Sequence, residues 1–202
     1  KKVSHKVRHS RFSVEPEYLF NIDLENKMEF VFNKILSQKK NIHCFLSSTR
    51  GVELSKKGSV IKCPKCEIWQ PLPKKELCFC SQCREYFNVK NGFADTIITN
   101  TFNTGLKSLI VGKDIKRYTS SSNLWIDTTR SGINYKSKNT YTGDKLIIRK
   151  TGVGITAAID YTGSLTNQVV YIFKKINDHN DKLPLELFLM ILSSRLAFFY
   201  IV

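Results

Sequence analysis

The sequence predicts an α+β fold: a mainly antiparallel sheet with flanking helices, an inserted four-cysteine zinc ribbon, and a C-terminal packing helix. Three observations carry this. Apolar residues recur at helical spacing between Leu24 and Leu36, two Cys-x-x-Cys pairs follow, and after Asn91-Gly92 short apolar runs are separated by Gly, Asn, Ser and Thr. With 202 residues and 42% hydrophobic side chains, the chain can bury a core as one domain with an insertion or as two small domains. No internal repeat and no low-complexity segment stands out.

Residues 1–50 read as a basic N-terminal arm and a packing helix. Lys1, Lys2, Lys6, Arg8 and Arg11 come without an acidic residue, as in a phosphate-seeking arm or a linker from a neighbouring domain. Leu24, Met28, Val31, Ile35 and Leu36 form one helical stripe, with Asp23 placed to cap the first turn. From Asn41 to Leu54 the chain turns extended. Because it begins at Lys1 rather than Met, it is expected to be a piece of a longer protein.

Residues 51–92 read as the zinc-ribbon insertion. Cys63 and Cys66, then Cys80 and Cys83 after a thirteen-residue spacer, suit four thiolates around one Zn²⁺. Reduced core cysteines or a disulfide framework are the alternatives, yet burial requires no paired spacing and no signal peptide directs the chain to an oxidising compartment. Cys78 is the spare thiol, and Cys44 is expected to be buried. Pro64, Pro71 and Pro73 favour turns over helix. Four protein ligands leave no open position, so the ion is expected to be structural and the ribbon scaffold.

Residues 93–202 supply the main sheet. Strands are expected at Ser108 to Val111, Leu124 to Asp127, Lys145 to Lys150, Ile155 to Asp160 and Gln168 to Lys175. Along Leu146 to Arg149, alternation should bury one face and leave Arg149 on one side. Leu183 to Val202 should be a buried helix with Pro184 in its first turn. Glu186, Ser193, Ser194 and Arg195 interrupt it too often for a membrane span.

The chain carries 32 Lys+Arg against 17 Asp+Glu, a net charge of +15. Such a field attracts polyanions, of which nucleic acid is the commonest inside cells; a soluble basic protein or an acidic-membrane binder carries similar charge, so the charge needs a motif beside it. Between Gly105 and Thr151, ten basic residues, Lys145 among them, face three acidic ones, giving +7. Lys113, Lys116, Arg117 and Tyr118 cluster around Gly112. The alternative is a solvated loop in which Lys113 and Asp114 offset one another. Arg149, Lys150 and Thr151 end a strong strand before Gly152, where Arg149 can reach a guanine edge or a phosphate. Trp69, Trp125 and Tyr141 suit the core, and His5, His9, His43 and His179 have no ligand spacing.

Three ordered blocks, Arg50 to Leu54 (RGVEL), Gly112 to Tyr118 (GKDIKRY) and Lys145 to Gly152 (KLIIRKTG), together with Leu189 to Ser194 near the end, resemble the TaqI-like C-terminal specificity domain. This family supplies the target-recognition domain of many adenine-specific N6 DNA methyltransferases and combined restriction-modification enzymes, some of which carry inserted zinc ribbons. Ser193 stands where the family usually has Asn. The resemblance implies a domain that reads a short sequence of double-stranded DNA in the cytoplasm, with Arg50, Lys113, Lys116, Arg117, Tyr118, Arg149, Lys150, Thr151 and Gly152 as the expected DNA-binding residues, while a separate domain before Lys1 flips and methylates adenine with S-adenosylmethionine. This chain has no adjacent prolines for the Asn/Asp-Pro-Pro-aromatic loop and no early Gly-rich cofactor turn, so no catalytic residue is expected in it. Two other readings remain open. One is a zinc-ribbon protein-interaction module; the other is a metal-dependent nuclease using Asp114-Ile115-Lys116 or Glu25-Asn26-Lys27.

Overall fold

A computed structural model describes residues 6–13, 26–176 and 183–201. Contacts divide the chain into Lys1–Cys44 and Phe45–Val202. The first unit contains α1 (His9–Phe12) and α2 (Asn26–Leu36). The helix forms where the apolar stripe predicts it, although Asp23 and Leu24 lie outside the described residues. Cys44 is exposed, contrary to expectation. It ends a 3-10 turn in which Asn41 Oδ1 accepts from His43 N at 3.0 Å and lies 3.8 Å from the Cys44 thiol, a local arrangement that keeps the sulfur at the surface.

The second unit contains β1 (Leu46–Arg50), β2 (Ser59–Lys62), β3 (Trp69–Pro71), β4 (Leu77–Phe79), β5 (Tyr86–Asn88), β6 (Phe93–Thr96), β7 (Ile98–Thr99) and β8 (Lys107–Ile110). There follow β9 (Ile115–Lys116), β10 (Thr119–Ser120), β11 (Leu124–Ile126), β12 (Lys145–Arg149), β13 (Ala157–Asp160), β14 (Leu165–Thr166), β15 (Val170–Lys175), α3 (Leu185–Leu192) and α4 (Arg195–Ile201). The architecture is α+β. One sheet has the order β1-β15-β12-β13, all antiparallel; a second has β14-β8-β11-β7, in which only β14–β8 is parallel.

The core lies between these sheets. Val52, Leu109, Ile110, Ile126, Ile147 and Ile172 form one buried cluster. Strand β12 does not leave one face open as its alternation suggested: Leu146 and Ile147 are both fully buried. It is a central strand, with the core cluster against Ile147 and α3 packed on β12 and β13, so both its faces are covered. Lys145 is buried as well, which removes it from the expected basic surface. Its ammonium contacts Asp160 Oδ2, its register partner on β13, and donates to Tyr141 O at 3.0 Å. Burial pulls the Lys145 pKa down while Asp160 opposes that shift.

The C-terminal segment forms two helices rather than one. Pro184 precedes α3 with extended backbone, instead of entering its first turn, and Ser193 leaves helical geometry at φ −87°, ψ 0°. Ser194 Oγ then accepts from Ala197 N at 3.1 Å, which caps α4. Helix α3 covers the sheet as expected, whereas Leu196, Phe198 and Ile201 of α4 remain exposed. No described helix is long and apolar enough to cross a membrane.

Two smaller sheets, β3-β2-β6 and β4-β5, hold the cysteine module. Trp69 N donates to Ser131 O at 3.0 Å, and Arg130 lies 4.8 Å from the Trp69 ring while pairing with Asp95 at 2.8 Å. Gly132 makes this join possible. Its φ is +92°, and a Cβ there would come within 2.2 Å of Ile68.

Candidate metal centre and nucleic-acid interface

The cysteine module is one hairpin used twice. In β2–β3, Lys62 pairs with Trp69; in β4–β5, Phe79 pairs with Tyr86, seventeen positions later. Each encloses a Cys-x-x-Cys knuckle followed by a residue with left-handed backbone, Glu67 at φ 61° and Arg84 at φ 60°. The bonds recur too: Glu67 N reaches Cys63 O at 3.0 Å, and Arg84 N reaches Cys80 O at 2.9 Å. This repeated unit escaped the sequence reading.

Both knuckles point inward. The sulfurs of Cys63, Cys66, Cys80 and Cys83 all lie within 4.8 Å of one another, with Cys63–Cys83 at 3.8 Å and Cys66–Cys80 at 3.5 Å. Thiolates about 2.3 Å from a shared tetrahedral zinc would stand about 3.8 Å apart, so the donor set fits one such ion. Backbone N–H groups of Cys83 and Gln82 lower the Cys80 thiol to about 7, whereas loss of solvent pushes Cys83 up to about 12. Cys78 stays outside the cluster. It is buried, its thiol is pushed up by burial, and Gln70 Nε2 donates to its sulfur at 2.7 Å.

The basic blocks converge in part. After β8, a 3-10 turn at Gly112–Asp114 is closed by Asp114 Oδ2, which accepts from Val111 N at 3.0 Å. Asp114 is thus turned to its own backbone rather than offsetting Lys113, and the same bond occupies the carboxylate on which the nuclease reading relied. Glu25 of the other acid-x-Lys triplet lies outside the described residues. Arg149, at the end of β12, donates through Nε to Thr151 O, and a Cβ on Gly152 would lie 3.3 Å from its guanidinium. Gly152 has φ +131°, a conformation that favours glycine and lets the loop lie against Arg149.

Lys113, Arg149 and Thr151 line one groove of ≈370 Å³. Lys56 and Gln168 line it as well, and the sequence blocks did not mark either residue. Lys150 and Gly152 instead line a neighbouring depression that also contains Arg149.

Arg117 and Tyr118 occupy the two-residue tip between β9 and β10, with Lys116 pairing to Thr119. Tyr118 is 52% exposed and has φ 73°, rare for a bulky residue. Lys116 is exposed, but the Arg117 guanidinium donates to Ser193 O and lies 5.2 Å from the Tyr118 ring. It therefore holds the α3–α4 junction. Arg50 pairs across the sheet with Tyr171, whose hydroxyl it contacts at 3.2 Å. Arg50 and Arg149 lie at the same end of the sheet, but on opposite faces, because Tyr171 is level with Ile148 and not with Arg149.

Trp69 and Tyr141 are buried as expected, and Trp125 packs edge-on to Phe102 at 4.6 Å. His9 packs against Phe12, His43 is exposed, and His5 and His179 lie outside the described residues.

The family model of the TaqI-like C-terminal specificity domain matches residues 107–202, the segment holding the second and third sequence blocks and the closing helices. The Arg50 block and the cysteine module precede the matched segment. No curated protein matches the chain.

Proposed function

We propose, with the match of residues 107–202 to the TaqI-like C-terminal specificity domain as premise, that the chain reads a short sequence in double-stranded DNA. It does so as the target-recognition part of a site-specific adenine-N6 methyltransferase or combined restriction-modification enzyme. The single observation that carries the reading is that Lys113 and Arg149, from two separate blocks of the matched segment, line the same groove. A concave cationic surface suits phosphate neutralisation, and side chains beside it can address base edges. Thr151 shares this groove and Lys150 and Gly152 extend it, while Lys116 and Tyr118, Arg117 beside its bond to Ser193 O, and Arg50 from the opposite face of the sheet are outlying DNA contacts.

Cys63, Cys66, Cys80 and Cys83 hold one zinc ion. A set of four cysteines fills the coordination shell and supports folding without Lewis-acid chemistry. The domains proposed are the basic arm and helix (1–50), whose last five residues enter the main sheet as β1, the zinc ribbon (51–92) and the recognition domain (93–202). S-adenosylmethionine and the methyl-transfer chemistry belong to a catalytic domain N-terminal to this chain, and the setting is cytoplasmic.

The test is binding of the 202-residue chain to a randomised duplex pool, followed by titration of the enriched sequence across a salt series. A reader enriches a short motif and loses affinity steeply with salt. Mg²⁺-dependent cutting would favour the nuclease. Neither binding nor cutting at low salt would favour the ribbon as an interaction module, a reading supported by exposed Leu77, Phe79 and Tyr86 on its second hairpin.

A further inference from the structure

The groove lies where three chain segments meet. The stretch after β1 brings Lys56, the turn after β8 brings Lys113, and the link from β14 to β15 brings Asn167 and Gln168. Arg149 and Thr151 close the remaining side. Three cations from segments far apart in sequence thus surround one hollow. The backbone at its floor comes close to its neighbours: a Cβ on Gly112 would lie 3.2 Å from Val169 Cγ2 and 3.4 Å from Arg149 Cγ.

The link from β14 to β15 adds two adjacent amides, one buried and one exposed. Asn167 is only 1% exposed, and its Oδ1 is buried without a hydrogen-bond partner among the described residues. A buried acceptor left unpaired is costly, so such groups are usually satisfied by water or a bound donor. Gln168, the next residue, is exposed at the same groove. Its amide carries both donors and an acceptor, the combination that pairs with N6 and N7 on the major-groove edge of adenine.

We propose that this groove is a subsite for one phosphate and the adjoining base edge of duplex DNA, with Lys56 joining Lys113 on the phosphate and Gln168 reading an adenine. The inference rests on the DNA-reading function above and adds two residues that the sequence blocks do not contain. Lys56 acts without regard to sequence, since a phosphate is the same at every step. Gln168 acts on one base pair. Arg149, held by Thr151 O, sets the wall between the two roles.

The experiment compares wild type, Lys56→Ala, Gln168→Ala and Gln168→Glu, each with its thermal melt as a folding control. The probes are the randomised duplex pool and a fluorescent duplex of the sequence enriched by wild type. Lys56→Ala should weaken all duplexes alike and reduce the salt slope by about one. Gln168→Ala should erase preference at one adenine position, by about tenfold, with an unchanged salt slope. Gln168→Glu should move that position toward cytosine, whose N4 amine can donate to a carboxylate. If wild type binds a motif but folded Lys56 and Gln168 variants reproduce its slope and its motif, the subsite is overturned while the DNA reading stands. If wild type binds no duplex at low salt, both fail.

Discussion

Lys145 and Asp160 form an ion pair inside the sheet, 0% and 1% exposed, directly opposite one another on β12 and β13. Asp160 also accepts from Thr162 N at 2.9 Å and from Thr162 Oγ1 at 2.6 Å, which satisfies its second oxygen. Removing the ammonium alone leaves a buried carboxylate without its counter-charge. Lys145→Ala should therefore cost about 3–5 kcal/mol in urea unfolding. In contrast to loss of a surface lysine, it should leave the salt slope of DNA binding unchanged in protein that remains folded.

Cys80→Ser should lower bound zinc well below one per chain and reduce the melting temperature, because it removes one of four ligands. Cys78→Ser should retain full zinc content, since Cys78 sits with Gln70 outside the cluster. Metal analysis of both purified variants checks the pair of outcomes. Equal zinc in the two would contradict the ligand assignment.

Arg117 and Lys116 should separate on mutation although they are adjacent. Arg117→Ala removes the donor to Ser193 O and should destabilise the protein by about 1–3 kcal/mol, seen as a lower urea midpoint. Lys116→Ala should leave that midpoint unchanged and lower duplex affinity, measured by anisotropy at low salt.

Gly51→Ala should be among the most damaging single-methyl additions. A Cβ at residue 51 would fall 2.0 Å from Thr166 O, next to the bond from Val52 N to that same carbonyl at 2.8 Å. Backbone would have to move on both sides, so the melting temperature should fall by several degrees, on the scale of about 2–4 °C per kcal/mol for a unit of this size.

Much of the sheet was legible because its strands are bounded apolar runs. The runs at residues 108, 124, 145, 155 and 168 correspond to β8, β11, β12, β13 and β15. The convergence of Cys63, Cys66, Cys80 and Cys83 was legible from spacing alone. What the sequence hid was mostly long-range. Lys145 looks like any other lysine until strand register sets Asp160 opposite it. The doubled hairpin was obscured because KCPKCEIW and FCSQCREY share little beyond the two cysteines and a closing aromatic. The break before α4 depends on Ser194 capping a new helix in an otherwise continuous apolar run. Lys56 and Gln168 join the groove only through the crossing of distant segments, which no local pattern encodes.

The link from β14 to β15 leaves one sheet and enters the other within a few residues, and the bridge between Val52 and Asn167 pins β1's continuation to the same point. A duplex seated against Asn167 and Gln168 would rest on this seam and bear on both layers together. Occupancy should then slow amide exchange at Val52 and Val170, on either side of the joint, more than in the cysteine hairpins.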